Sequence, residues 1–323
     1  MKKLINIVYL AHRRMEYSDL LFLNLSKCKF KDFHITICSM NCAVGRAENV
    51  LKNAIENYNL DASLFITYET INNYMDKIKY CIEQNYEYSI KLDEDIFMGP
   101  QAWDYLFDNI ALLNNEDNLI ISPALSSGIP TIDSFIKYNL THEQKNEIHS
   151  EFSKAIISNA WGVDYSFLNE SLKPNYNEEL FYNLVNNFNH HYKGIHPVRV
   201  NLNVQNKLND FIKDNISMFF ENRNFIIEEL NRPYLCNSMF AIKTNVWRKI
   251  IENKSLFVDN FDEVALNNYK KINNKKILFI VNTFAIHTMY NTLWEYSDIE
   301  LINKIEDDFY NYIKNYCKEI LKE

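Results

Sequence analysis

The first 125 residues alternate between short apolar or β-branched runs and longer amphipathic stretches. Ile5 to Leu10 is a continuous apolar run, which is typical of a strand buried on both faces. Strands that alternate with helices of this length predict βαβ units, and therefore a mainly parallel sheet flanked by helices. The predicted strands cover residues 5–10, 33–40, 63–67, 86–92 and 119–123, and the predicted helices cover residues 19–26, 47–58 and 70–84.

The pattern changes at residue 126 and resumes near Tyr234. Residues 126–232 are rich in Asn, His and aromatic residues, and their helical periodicity is patchy. Beyond them we predict strands at 237–243 and 276–282, helices at 246–252 and from about Asp262, and a last helix at 298–322. We therefore predict a single domain over 1–323. Its parts are a ligand-binding half (1–125), a large insertion (126–232), a second part of the core (233–295) and a C-terminal helix (296–323).

Composition excludes several functional classes. The chain has five glycines and contains neither a G-x-G-x-x-G dinucleotide fingerprint nor a Walker A lysine loop. Its formal net charge of −8 is opposite in sign to the basic surface of a nucleic-acid-binding protein. We therefore expect no nucleic-acid partner.

The predicted location follows from the apolar runs and the cysteines. No apolar run approaches the roughly 18 residues that cross a bilayer. The N-terminal run is short and ends at His12-Arg13-Arg14 without a cleavage site, so it predicts a buried strand and no signal peptide. The six cysteines form no C-x-x-C pair and no zinc spacing, which is typical of reduced cytosolic thiols. We expect a cytoplasmic protein with no transmembrane segment. Peripheral association with the inner face of the membrane and the oligomeric state stay open.

An acidic run, Asp93-Glu94-Asp95, follows the predicted strand at 86–92. Ligands bind beyond the carboxyl ends of the strands in parallel sheets. Residues i and i+2 of a strand project to the same side, so Asp93 and Asp95 are expected to face one ligand. Mg²⁺ and Mn²⁺ take carboxylate oxygens and keep positions open for substrate phosphates. A solvated acidic turn is the alternative. An EF-hand loop is excluded, because the glycine and glutamate that it needs are missing.

The segment YEYSIKLDEDIF (86–97) resembles the aspartate motif of GT-A glycosyltransferases, and NCAVGRAENVLKNAI (41–55) is similar to the loop and helix after the second strand of that fold. The similar blocks, at about 4–100, 234–270 and 277–290, occur in the order of the family. The resemblance implies a GT-A (Rossmann-like) α/β fold with an inserted acceptor-binding subdomain. It also implies sugar transfer from a UDP- or GDP-type donor to a hydroxyl acceptor, in bacterial capsule or lipooligosaccharide synthesis.

The resemblance implies a donor site with a divalent cation, Mn²⁺ or Mg²⁺. Asp95 would bind the metal, and Asp93 the metal, ribose or donor sugar. The C-terminal His287 would be a further metal ligand; the alternative is a histidine hydrogen-bonded at a strand end. The nucleotide-sugar contacts that it implies are Ala11, His12, Arg13, Arg46, Lys77, Asp93, Glu94, Asn237 and Ser238. The family favours glycine where this chain has Cys236-Asn237-Ser238, and a solvated basic turn is the alternative for His12–Arg14.

Two segments are candidates for the acceptor side. Asp262 and Glu263 stand at a predicted helix start, where the resemblance places a general base at Glu263, or less favourably at Asp262. An acceptor hydroxyl needs a carboxylate to take its proton, although acids in a first turn also simply stabilise a helix. The segment from His190 to Arg199 predicts an acceptor-contacting loop, with zinc binding or a purely structural loop as alternatives. Its candidate acceptor-binding residues are His191, Tyr192, His196 and Arg199.

Two rival functions stay open at the level of sequence. A metal-dependent nucleotidyl- or phosphotransferase has the same need for paired acids beside a nucleotide, but it needs no acceptor-side base. A non-catalytic glycan-binding protein with a degenerate transferase fold needs neither nucleotide nor metal.

Overall fold

A computed structural model describes residues 4–12, 14–39, 44–65, 74–82, 86–128, 131–158, 196–230, 237–257, 262–288 and 298–321. The chain forms two compact units. The first combines Met1–Ala124 with Phe220–Ala285, and the second combines Leu125–Phe219 with Ile286–Glu323. The first unit thus joins stretches from both sides of the expected insertion. The second holds most of that insertion together with the C-terminal stretch.

Four parallel strands form the part of the sheet that is built from the N-terminal residues. They are β1 (Ile5–Ala11), β2 (Phe33–Ser39), β3 (Ala62–Phe65) and β4 (Tyr88–Asp93). β1 lies between β2 and β4, with Ile5 opposite both Phe33 and Tyr88. Every residue of β1 is buried, as its continuous apolar pattern predicts.

Further strands follow along the chain. They are β5 (Ile96–Phe97), β6 (Asn118–Leu125), β7 (Ile227–Glu229), β8 (Met239–Lys243) and β9 (Lys276–His287). The sheet order is β3-β2-β1-β4-β8-β6-β9-β5, with β7 paired to β9. β8 runs antiparallel to both β4 and β6. The predicted α/β fold with parallel strands and flanking helices is confirmed, and β8 is the strand that reverses the direction beside β4.

The helices separate these strands along the chain. They are α1 (Ser18–Ser26), α2 (Val44–Lys52), α3 (Tyr74–Ile82), α4 (Pro100–Asn109), α5 (Ile132–Asn139), α6 (His142–Ser158), α7 (Pro197–Val200), α8 (Leu202–Asp214), α9 (Thr244–Glu252), α10 (Asp262–Ile272) and α11 (Ile299–Leu321). A π-helical turn, Asn53–Asn57, continues α2. Short 3-10 turns cover Met15–Tyr17, Ile110–Asn114, Ile216–Phe219 and Lys254–Leu256.

Two sequence expectations differ from the structure. The segment with patchy periodicity is helical over much of its described part, because α6 and α8 each bury one apolar face, with Phe152 and Leu208 among the buried residues. Strand β9 continues to His287, five residues beyond the predicted end at Asn282. Thr283 is tolerated inside it because its hydroxyl donates to the carbonyls of Ala124 and Ile280, both 3.0 Å away.

Among the described helices, none combines the length and apolar character that crossing a bilayer requires.

Candidate functional site

The acidic run lies at the carboxyl end of β4, at the edge of the sheet where ligands of α/β folds bind. β4 ends at Asp93, and Glu94 and Asp95 form the turn that leads to β5. Because Asp95 lies outside the strand, strand alternation alone does not align it with Asp93, and the expectation that both face one ligand stays a prediction. Glu94 and Asp95 are only 3% and 4% exposed, and Asp93 is half-buried. Burial of two adjacent acids distinguishes this run from a solvated turn.

Glu94 holds the loop after β1 next to the acidic run through two hydrogen bonds. Its Oε2 accepts the backbone N–H of His12, and its Oε1 accepts the backbone N–H of Arg14, each at 2.8 Å. The structure therefore brings Ala11 and His12 next to the acids. The sheet register agrees with this, because Leu10 is paired with Asp93. Glu94 was expected to contact the nucleotide-sugar, whereas the two carboxylate oxygens here hold the backbone of the loop. Arg13 lies outside the described residues.

Glu94→Gln is expected to destabilise the loop after β1. The amide keeps one acceptor oxygen but turns an N–H group toward one of the two backbone donors, and bonds to a charged acceptor contribute about 1.5–3 kcal/mol. We expect a loss of about 2 kcal/mol in the free energy of unfolding and faster hydrogen exchange at the His12 and Arg14 amides. Urea unfolding and exchange mass spectrometry measure both. Glu56→Gln, at an exposed ion pair with Lys52 in the same unit, is the control; equal effects in the two variants would contradict the role of Glu94.

Lys91 is a buried lysine next to the acidic run, and the sequence analysis did not identify it. Its side chain is 1% exposed, and its Nζ donates to Asp93 Oδ1 and to the Asn237 carbonyl, both at 2.6 Å. The Asp93 backbone N–H also donates to the carbonyl of Ser238 at 2.9 Å. Asp93, Asn237 and Ser238, all predicted donor contacts, are therefore brought together. A lysine inside an apolar strand, two residues before Asp93 and therefore on the same face, is the signal that could have identified it.

Two basic residues of the first unit, Arg14 and Arg46, share an ion-pair partner in Glu16. Glu16 Oε1 is 4.0 Å from Arg14 Nη1, and Glu16 Oε2 is 3.5 Å from Arg46 Nη2. This ion-pair chain connects the predicted contact Arg46 to the loop that Glu94 holds. Arg46 is exposed, so the ion pair itself contributes little stability.

Lys77 and Glu263 are the other predicted site residues of this unit. Lys77, in α3, is 5% exposed. Glu263 is 6% exposed and lies in the first turn of α10. Asp262 begins that helix, and its side chain lies outside the described residues. The nucleotide contact of Lys77 stays a prediction.

The acids fit a divalent cation that is completed by its substrate. Across the described ranges, no three His, Cys, Asp or Glu side chains form a ready-made metal site. Asp93 and Asp95 nevertheless offer hard oxygen ligands, and Mg²⁺ or Mn²⁺ is often held by one or two carboxylates together with substrate phosphates. The donor set is therefore compatible with a metal that binds along with a diphosphate.

The second unit contains a polar cluster around His287, at the end of β9. Its Nδ1 is 2.8 Å from Ser127 Oγ and 3.5 Å from Arg199 Nη1, and its backbone N–H donates to Ser126 Oγ at 3.0 Å. His287 is 5% exposed. Histidines that bind metals commonly use their second ring nitrogen to contact such a hydrogen-bonding partner. The metal-binding role of His287 stays a prediction, and Ser127 is a neighbour that the sequence did not indicate.

His196 caps a helix in the same unit. Its Nδ1 accepts the backbone N–H of Val198 at 3.1 Å, at the start of α7, and its side chain is fully buried against Phe152. Its expected contact with an acceptor therefore has no exposed surface to act through in this structure. The predicted contacts His191 and Tyr192 lie outside the described residues. Of the four acceptor candidates, Arg199 is placed next to His287.

The stability of the second unit is expected to depend on pH through His196. Burial, and then the positive charge of Arg199, lower the pKa of His196 from 6.5 to about 3. Below pH 6.5 the unfolded chain binds a proton that the folded chain does not, so stability is lost as the pH falls toward 3. Between pH 6.5 and about 5, this amounts to about 2 kcal/mol.

His196→Asn is the matched variant, because asparagine also caps helices but does not titrate here. Urea unfolding at the two pH values is expected to show a loss about 2 kcal/mol smaller in the variant than in the unsubstituted protein. Parallel pH profiles for the two proteins would contradict this assignment.

The chain is similar to several solved structures. No family model matches it, and no curated protein does. A mannosyltransferase from Pyrobaculum calidifontis in complex with GDP-Man and Mn²⁺ is 9% identical, with a TM-score of 0.33, over 39% of this chain and 37% of that one. S. aureus TarS 1-349 is 12% identical, with a TM-score of 0.42, over 99% and 73%. GalNAc-T7 with UDP, GalNAc and Mn²⁺ is 9% identical, with a TM-score of 0.47, over 96% and 56%.

Proposed function

We propose that this chain is a metal-dependent glycosyltransferase of the GT-A type. It would move a sugar from a nucleoside diphosphate donor to a hydroxyl group of a glycan, with a bacterial surface polysaccharide or lipooligosaccharide as the acceptor class. The observation that carries the proposal is the assembly at the end of β4. There Asp93, the loop after β1 and the Asn237–Ser238 turn are joined by short hydrogen bonds to Lys91 and Glu94.

The assembly has the chemical groups that a nucleotide-sugar requires. The backbone and side chains at His12 and Arg14 provide donors for a base, ribose or phosphate. Asp93 and Asp95 would hold a divalent cation, which when bound neutralises the diphosphate and stabilises it as a leaving group. The Asn237–Ser238 turn lies against Asp93, and its polar groups would contact a donor sugar bound there.

Lys77 is a predicted nucleotide contact on α3, and its side chain is 5% exposed. Its ammonium group would pair with the negative charge of a donor diphosphate. Lys77→Met is therefore expected to weaken nucleotide binding about tenfold or more.

Thermal unfolding with nucleotides tests the proposal. UDP, GDP and CMP are each added with and without Mn²⁺ to the unsubstituted protein, Asp95→Ala and Lys77→Met. A ligand that binds only the folded state stabilises it by about 2.7 kcal/mol at a hundredfold excess over its dissociation constant. We expect a shift with UDP or GDP that requires Mn²⁺ and is lost in Asp95→Ala.

The outcomes separate the functional classes. A nucleotide-dependent shift that survives Asp95→Ala would exclude the proposed metal site. No shift with any nucleotide would exclude a nucleotide-sugar donor altogether. Sugar transfer is then measured with donors of the nucleotide that stabilises the protein and a panel of surface-glycan acceptors.

A further inference from the structure

We propose that Lys91 is a positioning residue of the donor site, an internal counter-ion that sets both the charge and the geometry of the acidic run. This inference rests on the proposed function, because the site that Lys91 organises is the donor site. The side chain of Lys91 is buried beside Asp93, and it would act on the ligand indirectly, through the acids.

The contacts of Lys91 give it two structural partners. Its ammonium donates to Asp93 Oδ1 and to the carbonyl of Asn237, both at 2.6 Å. One buried group therefore fixes the first acid of the run and the turn that precedes β8. Because Lys91 and Asp93 are two residues apart on β4, they project from the same face of the sheet. A carboxylate held through one oxygen has fewer accessible rotamers than an exposed one.

The charge of Lys91 gives it a further effect. Residues 91 and 93–95 comprise three carboxylates and one ammonium, so their net charge is −2. A single divalent cation neutralises that charge. Lys91 lies close enough to Asp93 to repel a cation that binds there, which weakens metal binding until a diphosphate adds its own negative charge. Lys91 thus favours the metal together with its nucleotide over the metal alone.

If Lys91 acts through its charge, removing it raises the affinity for Mn²⁺, whereas removing a purely structural residue would not. Without nucleotide, Lys91→Met is expected to bind Mn²⁺ about tenfold more tightly than the unsubstituted protein, because a nearby positive charge is removed. Lys91→Arg keeps the charge and is expected to retain the weaker affinity. Lys91→Gln, which loses the charge but still donates hydrogen bonds, is a second neutral variant should Lys91→Met fold poorly. A structural lysine would instead lower Mn²⁺ affinity when it is replaced.

The experiment is a titration with Mn²⁺ in which the paramagnetic resonance signal of free Mn²⁺ is measured. It is done on the full chain, first without nucleotide and then with UDP or GDP. Lys276→Met is the matched control, since it removes the lysine of a half-exposed ion pair with Glu229 in the same unit. That exposed charge is screened by solvent and salt, so the Mn²⁺ affinity of the control is expected to match that of the unsubstituted protein.

The outcomes distinguish this inference from the proposed function. Equal or weaker Mn²⁺ binding in the two neutral variants would overturn the role of Lys91, even if nucleotide binding is normal. Tighter Mn²⁺ binding in these variants supports it, even if neither nucleotide binds and the glycosyltransferase proposal fails. A protein that binds no Mn²⁺ with or without nucleotide would overturn both the inference and the metal site.

Discussion

Glu263→Gln is expected to lower kcat by roughly 10²–10⁴, the range that a positioned general base contributes. The amide has nearly the same shape as the carboxylate but cannot take a proton from an acceptor hydroxyl. Glu263 is buried in the first turn of α10, so the change acts at a fixed position near the start of a helix. The rate is measured as release of the nucleoside diphosphate from the donor that stabilises the protein, in the presence of acceptor glycans.

The accompanying measurements define the role of Glu263. An acid in the first turn contributes about 0.3–1 kcal/mol through the helix dipole, so stability and donor affinity are expected to change little. Glu300→Gln removes an exposed acid from the first turn of α11 and controls for this effect. Activity that persists in Glu263→Gln would favour a nucleotidyl- or phosphotransferase. A loss confined to the KM for the acceptor or donor would indicate a sugar-binding acid, as in an enzyme that retains configuration.

The parallel half of the fold was predictable because each of its strands carries a local pattern. β1 and β2 consist mostly of apolar or β-branched residues and are buried over their whole length. Strand direction is different, since the pattern of residues 239–243 fits a parallel or an antiparallel neighbour equally well. The pairing of β8 with β4 and β6 depends on long-range contacts that no short window of sequence contains.

The sequence predicted which candidate site residues lie close together, but it did not predict the contacts that hold them. Strand ends identified Asp93, and the loop after β1 was correctly placed beside it. The sequence did not indicate that Glu94 holds the backbone at His12 and Arg14, because such bonds form between segments that are about eighty residues apart. Lys91 was missed for a related reason: the partner that makes its burial tolerable includes a carbonyl at Asn237, far along the chain.

Asp93→Ala is expected to destabilise the protein by about 2–3 kcal/mol, independently of any ligand. The substitution leaves the ammonium of Lys91, 1% exposed, without the carboxylate that lies 2.6 Å away. Loss of one partner from a buried pair costs about 3–5 kcal/mol, and we expect the lower part of this range or less because the Asp93 side chain is 30% exposed. Urea unfolding without metal or nucleotide measures the effect.

The double variant Lys91→Met/Asp93→Ala provides the decisive comparison. If the instability of Asp93→Ala arises from an orphaned ammonium, replacing that lysine by an apolar residue of similar length restores much of the lost stability. The coupling energy between the two positions is expected to be about 1–3 kcal/mol. Additive effects would mean that Asp93 stabilises the fold through other contacts. In that case a change in metal dependence in Asp93 variants would directly reflect the loss of a metal ligand. Strong coupling would instead mean that every activity loss in an Asp93 variant must be corrected for the fraction of unfolded protein.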